Sequence, residues 1–513
     1  MKKRKVAVGL SMLMLTAMIT GCAAKGQETQ AEETISNEEE SMGQEEVTQV
    51  PVTTNVITID ETKTYQTMES FGTSGAWWAQ YVGGFTKDVN DTGVSSREEI
   101  ATLLFDKEKG IGLTSYRYNM GAGSADSGNG TFWDKHRRAQ SFETTTGEYD
   151  FTKDENAVWF LHKAVELGVE EVVLFCNSPL ESLTDNGLAH MTEGGSKTNI
   201  QPENYAAFAQ YCMDVAEHFV SEGVPVKFIS PINEPQWDWY NGQEGCHYSP
   251  KETQTLYLSF LDELETREAL AGVKLSGPES GEWKGQATTY TSAILGNERL
   301  YAHFDGIDNH SYWSNETDKQ TFKNWMIINY PEVKLRTSEW CEMVNGSDVT
   351  MDSAFHIAQE IAEDLRILEV VSWQNWVAVA PGGYRDGLIY IDEATQKYRA
   401  LKRLWSFGNY SRYIRPGYTR VDLQTNTRAQ DEMLPTAFTG VNDAGQQELV
   451  MVFVNEDVTD QVFMLQGQSE YQAIAYYETS DAHDLACVRQ EEWNAKEPIT
   501  IPKRTVTTVI LTK

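Results

Sequence analysis

Val226-Lys227-Phe228-Ile229-Ser230-Pro231-Ile232-Asn233-Glu234-Pro235 is a short, mostly apolar run that ends in an Asn-Glu pair and is halted by proline. Upstream of it Phe208, Cys212, Val215 and Phe219 recur at helical spacing and share one face. A buried strand that follows an amphipathic helix is half of a βα repeat. The same alternation recurs outward in both directions, with strand-like runs at 70–72, 114–118, 172–175, 226–232, 273–276, 306–309, 333–337 and 370–373. Ala354, Ala358, Ile361, Leu365 and Leu368 mark a second helical face between the last two runs. Eight βα units predict an α/β fold, a closed (β/α)8 or TIM barrel, over residues 69–412.

Past residue 412 the period changes to two, with strands expected at 449–454, 462–465, 473–477 and 505–511. An all-β sandwich over 413–513 follows from this. The early alternation Val56-Ile57-Thr58-Ile59 has no helix partner. Residues 55–68 are therefore expected to cross over and join the C-terminal sandwich.

The first residues belong to no fold. Lys2, Lys3, Arg4 and Lys5 precede an apolar run from Val6 to Ile19, the pattern of a secretory signal and too short for a spanning helix. It ends in Ile19-Thr20-Gly21-Cys22, which resembles the bacterial lipobox. Cleavage is expected before a lipidated Cys22, which would anchor the chain at the bacterial cell envelope outside the cytoplasm. Residues 23–54 carry glutamates at 28, 32, 33, 38, 39, 40, 45 and 46 and almost no large apolar side chain. Such a stretch cannot bury enough surface to fold and reads as a solvated tether.

The formal net charge of −34 sets the chain against nucleic acid, whose phosphates must be met by clustered cations. A neutral sugar meets no such field, and 14 Trp with 23 Tyr supply flat apolar faces for pyranose rings. Five cysteines remain beyond Cys22, an odd number, and none lies in a metal-ligand spacing, so no metal or cofactor is expected. Cys246 and Cys341 both fall in loops near the expected catalytic mouth, where a disulfide and two free thiols are equally open.

In a parallel barrel the reactive groups stand at the C-terminal ends of strands. Asn233-Glu234 ends the fourth run, and Leu335-Arg336-Thr337-Ser338-Glu339-Trp340 ends the seventh. A single glutamate at a strand end is most often a solvated carboxylate; two on strands that face each other across the barrel form the pair that glycosidic cleavage requires. One protonates the leaving oxygen and the other attacks the anomeric carbon.

Glu69-Ser70-Phe71-Gly72-Thr73-Ser74-Gly75-Ala76-Trp77-Trp78, Tyr118-Asn119-Met120-Gly121-Ala122-Gly123, Asn233-Glu234-Pro235-Gln236-Trp237 and Arg415-Pro416-Gly417-Tyr418 resemble glycoside hydrolase family 30. The Gly-Ala-Trp-Trp opening and Gln243-Glu244-Gly245-Cys246 are most similar to its endo-β-1,6-galactanase group. The resemblance implies a barrel with a side sandwich and a retaining enzyme that opens β-1,6-galactan side chains of arabinogalactan by double displacement. It assigns Glu234 as acid/base, Glu339 as nucleophile, Asn233 to the sugar 2-hydroxyl and Arg117 beside the nucleophile, keeping it ionised. It places Tyr312 and Trp376 at the sugar; Asn119 and His310 are further sugar-site candidates, while Trp78 and Trp237, in or beside expected loops on the catalytic face, are equally open to sugar stacking and to core packing.

One stretch departs from the family: Leu180-Glu181-Ser182 stands where a wall-forming Trp is usual, which bears on substrate and not on chemistry. Glu279, Asp308 and Glu342 also lie at or near strand ends but match no family motif. The alternatives are a β-1,6-glucanase, a xylanase or an exo-β-glycosidase of the same family, and, in another class, a lipid-anchored sugar-binding protein without catalysis. The expected partners are a poly- or oligosaccharide and, through the lipid alone, a membrane; the chain is expected to act as a monomer.

Overall fold

Strands covered on both faces carry apolar side chains without alternation, and Glu171–Phe175 (EVVLF) is buried at its last four positions. In the computed structural model, which describes residues 55–127, 134–193, 197–240 and 242–513, this is the third strand of a closed barrel. The others are Ser70–Ser74, Ser115–Asn119, Val226–Ser230, Gly306–His310, Lys334–Trp340, Ser372–Val377 and a fifth strand in two pieces. Neighbouring strands are parallel throughout. The signal segment, Cys22 and the acidic stretch to residue 54 lie outside the described residues.

The run expected at 273–276 is the point where the barrel closes. Lys274–Leu275 pairs with the fourth strand and Pro278–Ser280 with the sixth. Between them Gly277 takes φ +133°, a conformation only glycine holds without strain. Pro278 has no N–H to give a ladder. The seventh strand runs further than the expected 333–337, so Glu339 stands inside it, paired with His310 of the sixth.

The helices follow their apolar faces. Phe208, Cys212, Val215 and Phe219 of Tyr205–Ser221 are all buried, as are Ala354, Ala358 and Ile361 of Met351–Glu363. The latter passes into a wider turn, Asp364–Leu368, closed by Glu369 in the left-handed region. Among the described residues no helix is long and apolar enough to cross a membrane.

The second layer is a nine-stranded sheet in which Val56–Thr67 lies between Thr419–Thr425, antiparallel, and Gln461–Gln466, parallel. Ile57, Val421, Met451, Phe463, Ile499 and Val509, from six of its strands, share one core, so the sheet is folded over into the two layers of a sandwich. Asn409 on the last barrel helix, Lys402–Ser411, joins it to the barrel. Its Nδ2 donates to Thr508 Oγ1 (2.9 Å) and Tyr477 O (3.2 Å), and its Oδ1 accepts from Thr479 Oγ1 (2.6 Å).

Asp364, fully buried, ties together the three strands beneath the catalytic face. It accepts from Ser311 Oγ (2.9 Å), Thr337 Oγ1 (2.9 Å) and Trp373 Nε1 (3.0 Å), and the buried Lys319 Nζ stands 3.0 Å away. Asp364→Ala strands three donors and weakens the pairing of a buried cation. Urea unfolding should show a loss of about 3–5 kcal/mol, in the range for breaking a buried charge network.

Candidate active site

The barrel strands bring five ionisable side chains to one point above the core. Arg117, on the second strand and fully buried, donates from Nη1 to Glu339 Oε2 (2.6 Å) and from Nη2 to Asn233 Oδ1 (3.1 Å). Its guanidinium lies 3.9 Å from the centre of the Phe175 ring. His310, also fully buried, sets Nδ1 3.1 Å from Glu234 Oε1 and 3.4 Å from Glu339 Oε1. Tyr312 donates its hydroxyl to Glu339 Oε1 (3.1 Å). One oxygen of Glu234, one of Glu339 and a His310 nitrogen all lie within 4.8 Å of one another.

Beyond the fourth strand the backbone turns sharply to present Glu234. Glu234 has φ +42°, its N–H reaches Glu279 O (2.9 Å), and its carbonyl accepts from Trp239 Nε1 (2.9 Å). Glu279, Trp239 and Trp313 around it are also left-handed, at φ +58°, +36° and +49°. Non-glycine residues hold such angles at about 1–3 kcal/mol each and cluster where function needs them. Gly281 lies against the Glu234 carboxyl so closely that a Cβ there would come within 2.6 Å of Oε1.

The charges answer one another. Burial opposes ionisation of Glu279, but the Arg117 charge and then His310 hold its carboxyl down at about 2. Burial works against a charged His310, yet Glu339, Glu234 and Glu279 raise it to about 10, so the imidazole is protonated. Burial raises the Glu339 carboxyl above its ordinary range, and His310 and Arg117 pull against that rise. Two cations thus face three carboxyl groups, and the cluster is neutral when one carboxyl keeps a proton. Glu234, His310 and Glu339 are spaced as three donors to one cation. Both oxygens of Glu339 are already taken, Oε2 by Arg117 and Oε1 by Tyr312, which disfavours its use as a ligand.

A cavity of about 560 Å³ opens over Glu234 and Glu339. On one side Trp77 meets Trp376 edge to face (4.9 Å, 88°), with the Arg137 guanidinium 4.4 Å over its ring. Tyr384, Asp386, Trp239 and Trp313 also line the cavity. Trp77 Nε1 and Asp386 Oδ1 have no hydrogen-bond partner among the described residues. A hollow of about 600 Å³ between the barrel and the β domain is lined by Arg366, Arg420 and Asp422, and neither Glu234 nor Glu339 lines it.

The structure brings Glu234, Glu339, Asn233, Tyr312 and Trp376 to the cavity wall. Arg117 and His310 stand beneath it, with no surface to offer a sugar. Trp78 does not reach it: its indole N–H donates to Ser74 O (2.8 Å) and its ring packs edge-on against Phe160 in the core. Trp77 takes the wall position instead, because the turn after the first strand points successive residues to opposite sides. Asn119 faces the adjoining loop, accepting from Asn177 Nδ2 (3.1 Å), and is not on the cavity wall. Trp237 is 43% exposed and lies outside the cavity proper, edge-on to Trp313, which is 52% exposed. Cys246 and Cys341 are both free and buried; Cys341 Sγ faces Tyr312 Oη at 3.7 Å.

Where the family's wall tryptophan is missing, Leu180 turns into the core. Glu244 is buried and accepts from Ser124 Oγ (2.6 Å) and Ala122 N (3.1 Å), tying the loop after the fourth strand to that after the second. Burial raises its carboxyl to about 7. The sequence reading overlooked Arg137, Tyr384 and Asp386. Arg137 follows a stretch without periodicity, and the only signal near the other two is Gly382-Gly383, both left-handed, which marks a tight loop after the eighth strand.

The sequence profile of O-glycosyl hydrolase family 30 matches residues 54–305. An endo-β-1,6-galactanase from Hypocrea rufa is 26% identical over 442 residues, 78% of this chain and 81% of that one. A conserved exported protein from Bacteroides fragilis superposes with TM-score 0.77 at 24% identity, covering 89% of this chain and 100% of its own. The catalytic domain of a family 30 xylanase from Talaromyces cellulolyticus superposes with TM-score 0.68 at 18% identity, again over 89% and 100%.

The two neighbouring tryptophans separate core from wall. Trp78→Ala should lower unfolding stability by about 3–5 kcal/mol, the range for emptying a buried aromatic site. Trp77→Ala should cost less than half as much in the same urea titration.

Proposed function

We propose, on the premise that the chain belongs to glycoside hydrolase family 30, that it is a retaining, endo-acting enzyme that cleaves β-1,6-galactan by double displacement. The observation that carries the mechanism is the approach of Glu234 and Glu339, an oxygen of each within 4.8 Å. Inverting enzymes hold their carboxyl groups about 6.5–9.5 Å apart to admit a water, and retaining ones about 5–5.5 Å.

In the first step Glu234 gives its proton to the leaving glycosidic oxygen while Glu339 bonds to the anomeric carbon. In the second a water, deprotonated by Glu234, releases the sugar and frees Glu339. Arg117 and Tyr312 hold Glu339 by both oxygens, so the attacking carboxylate has little freedom to turn. Asn233, oriented by Arg117 and on the cavity wall, is the residue assigned to the sugar 2-hydroxyl. The galactanase relative supports the choice of polymer.

The assay is release of oligosaccharides from β-1,6-galactan, arabinose-trimmed arabinogalactan, β-1,6-glucan and xylan. Short galacto-oligosaccharides are expected, with turnover reduced about 10²–10⁴-fold in Glu234→Gln and at least as far in Glu339→Gln. NMR should show the β anomer as first product. An α anomer would sink the retaining mechanism; cleavage of glucan or xylan alone would replace the substrate, and binding without cleavage would replace the enzyme with a binding protein.

We also propose display at the cell envelope through a lipid on Cys22, supported by the Lys/Arg-led apolar run and Ile19-Thr20-Gly21-Cys22. Labelled fatty acid fed to a bacterial host should enter the wild-type chain and not Cys22→Ala; equal labelling of both overturns the anchor.

A further inference from the structure

Under the two carboxyl groups that line the cavity sits a third, on the fifth strand. Glu279 is 1% exposed, so no substrate reaches it. Ser230 Oγ donates to its Oε1 (2.9 Å) and Ser338 Oγ to its Oε2. The same Oε2 stands 3.4 Å from Arg117 Nη2 and 3.3 Å from His310 Nε2. The His310 contact lacks hydrogen-bond alignment, so it acts through charge. Meanwhile the Glu279 carbonyl receives the N–H of Glu234. One residue thus touches both cations and the backbone of the candidate acid.

We propose that Glu279 is a positioning residue of this site, a buried counter-charge that keeps Arg117 and His310 as a pair of cations beneath Glu234 and Glu339. The role rests on those two glutamates being the reacting pair. Without Glu279 the two cations would lose the one fully enclosed carboxylate that touches both of them. With it, Arg117 and His310 are held by a group that takes no part in the chemistry, which leaves Glu234 and Glu339 to the substrate.

The surroundings leave this assignment to Glu279. From the second strand comes Arg117; from the fourth, Ser230 and, past its end, Glu234; from the sixth, Asp308 and His310; from the seventh, Arg336, Ser338 and Glu339; and from the helix Pro250–Leu264, Tyr257. Asp308 is matched by Arg336 at 3.7 Å, and burial raises its carboxyl to about 8, so it answers Arg117 less than Glu279 does. Tyr257 spends its hydroxyl on Ser276 O (2.7 Å).

Removing a negative charge makes every neighbouring proton easier to lose, so the sign of the effect is fixed. In ¹⁵N-histidine-labelled protein, with His310 assigned by comparison with His310→Asn, the wild-type imidazole should stay charged to about pH 9. In Glu279→Gln its midpoint should fall by about one pH unit or more, the usual size of one adjacent charge. The alkaline limb of kcat/KM on the cleaved polysaccharide should move to lower pH with it. Glu279→Asp keeps the charge one methylene further away and should give a smaller shift of the same sign, which covers the case of a poorly folded Gln variant. An unchanged His310 midpoint, or a loss of turnover equal at every pH, overturns the assignment. The NMR titration needs no turnover, so its failure is distinct from failure of the hydrolase reading.

Discussion

Arg117, His310, Glu234, Glu279 and Glu339 meet where water hardly reaches, and a charge buried without a partner costs several kcal/mol. Much of the surrounding architecture can be read as the means of satisfying that requirement. The groups come from five regions of the barrel, so the second, fourth, fifth, sixth and seventh strands must end at matched heights. The Arg117 contact of 2.6 Å tolerates little slippage. A one-residue slip in any of these strands would turn a charge away from its partner.

Two local devices serve that alignment. The fifth strand is broken at Gly277-Pro278, which lets Glu279 enter the cluster although Lys274–Leu275 keeps the regular ladder. Left-handed backbone at Glu234 and Glu279 aims both carboxyl groups inward where a regular strand would alternate them. The strain at those positions is sustained by the ion pairs they make. Asp364 then holds Ser311, Thr337 and Trp373 from outside, so the sixth, seventh and eighth strands are fastened on the helix side as well as the cavity side.

The barrel and the pair Glu234 and Glu339 were legible in the sequence because both depend on local pattern. Apolar runs bounded by turns mark buried strands, and Asn-Glu-Pro at the end of one is a strong sign. What was not legible depends on direction or on distant neighbours. Trp77 and Trp78 differ only in which side of a turn they face, and nothing in their composition separates them. Glu279 looks like any other glutamate until the fifth strand is seen to break beside it. Arg137 and Asp386 reach the cavity from loops without period, so their position is set by tertiary packing alone. His310 was expected at the sugar, yet it lies one layer deeper, fully buried beneath Glu234 and Glu339.

The strand Val56–Thr67 has a consequence for how the molecule is made. Val56 bonds to Asn426, 370 residues away, and both long neighbours of this strand come from the last hundred residues of the chain. During synthesis the strand emerges ahead of the barrel and waits with two open edges while the whole barrel is produced. Contacts so remote in sequence close late and slowly, and unpaired strand edges invite association between chains in the interval. The barrel can condense as it emerges, but the β layer is completed only after the C-terminus arrives. An interval in which that strand stands unpaired is thus built into the order of the sequence.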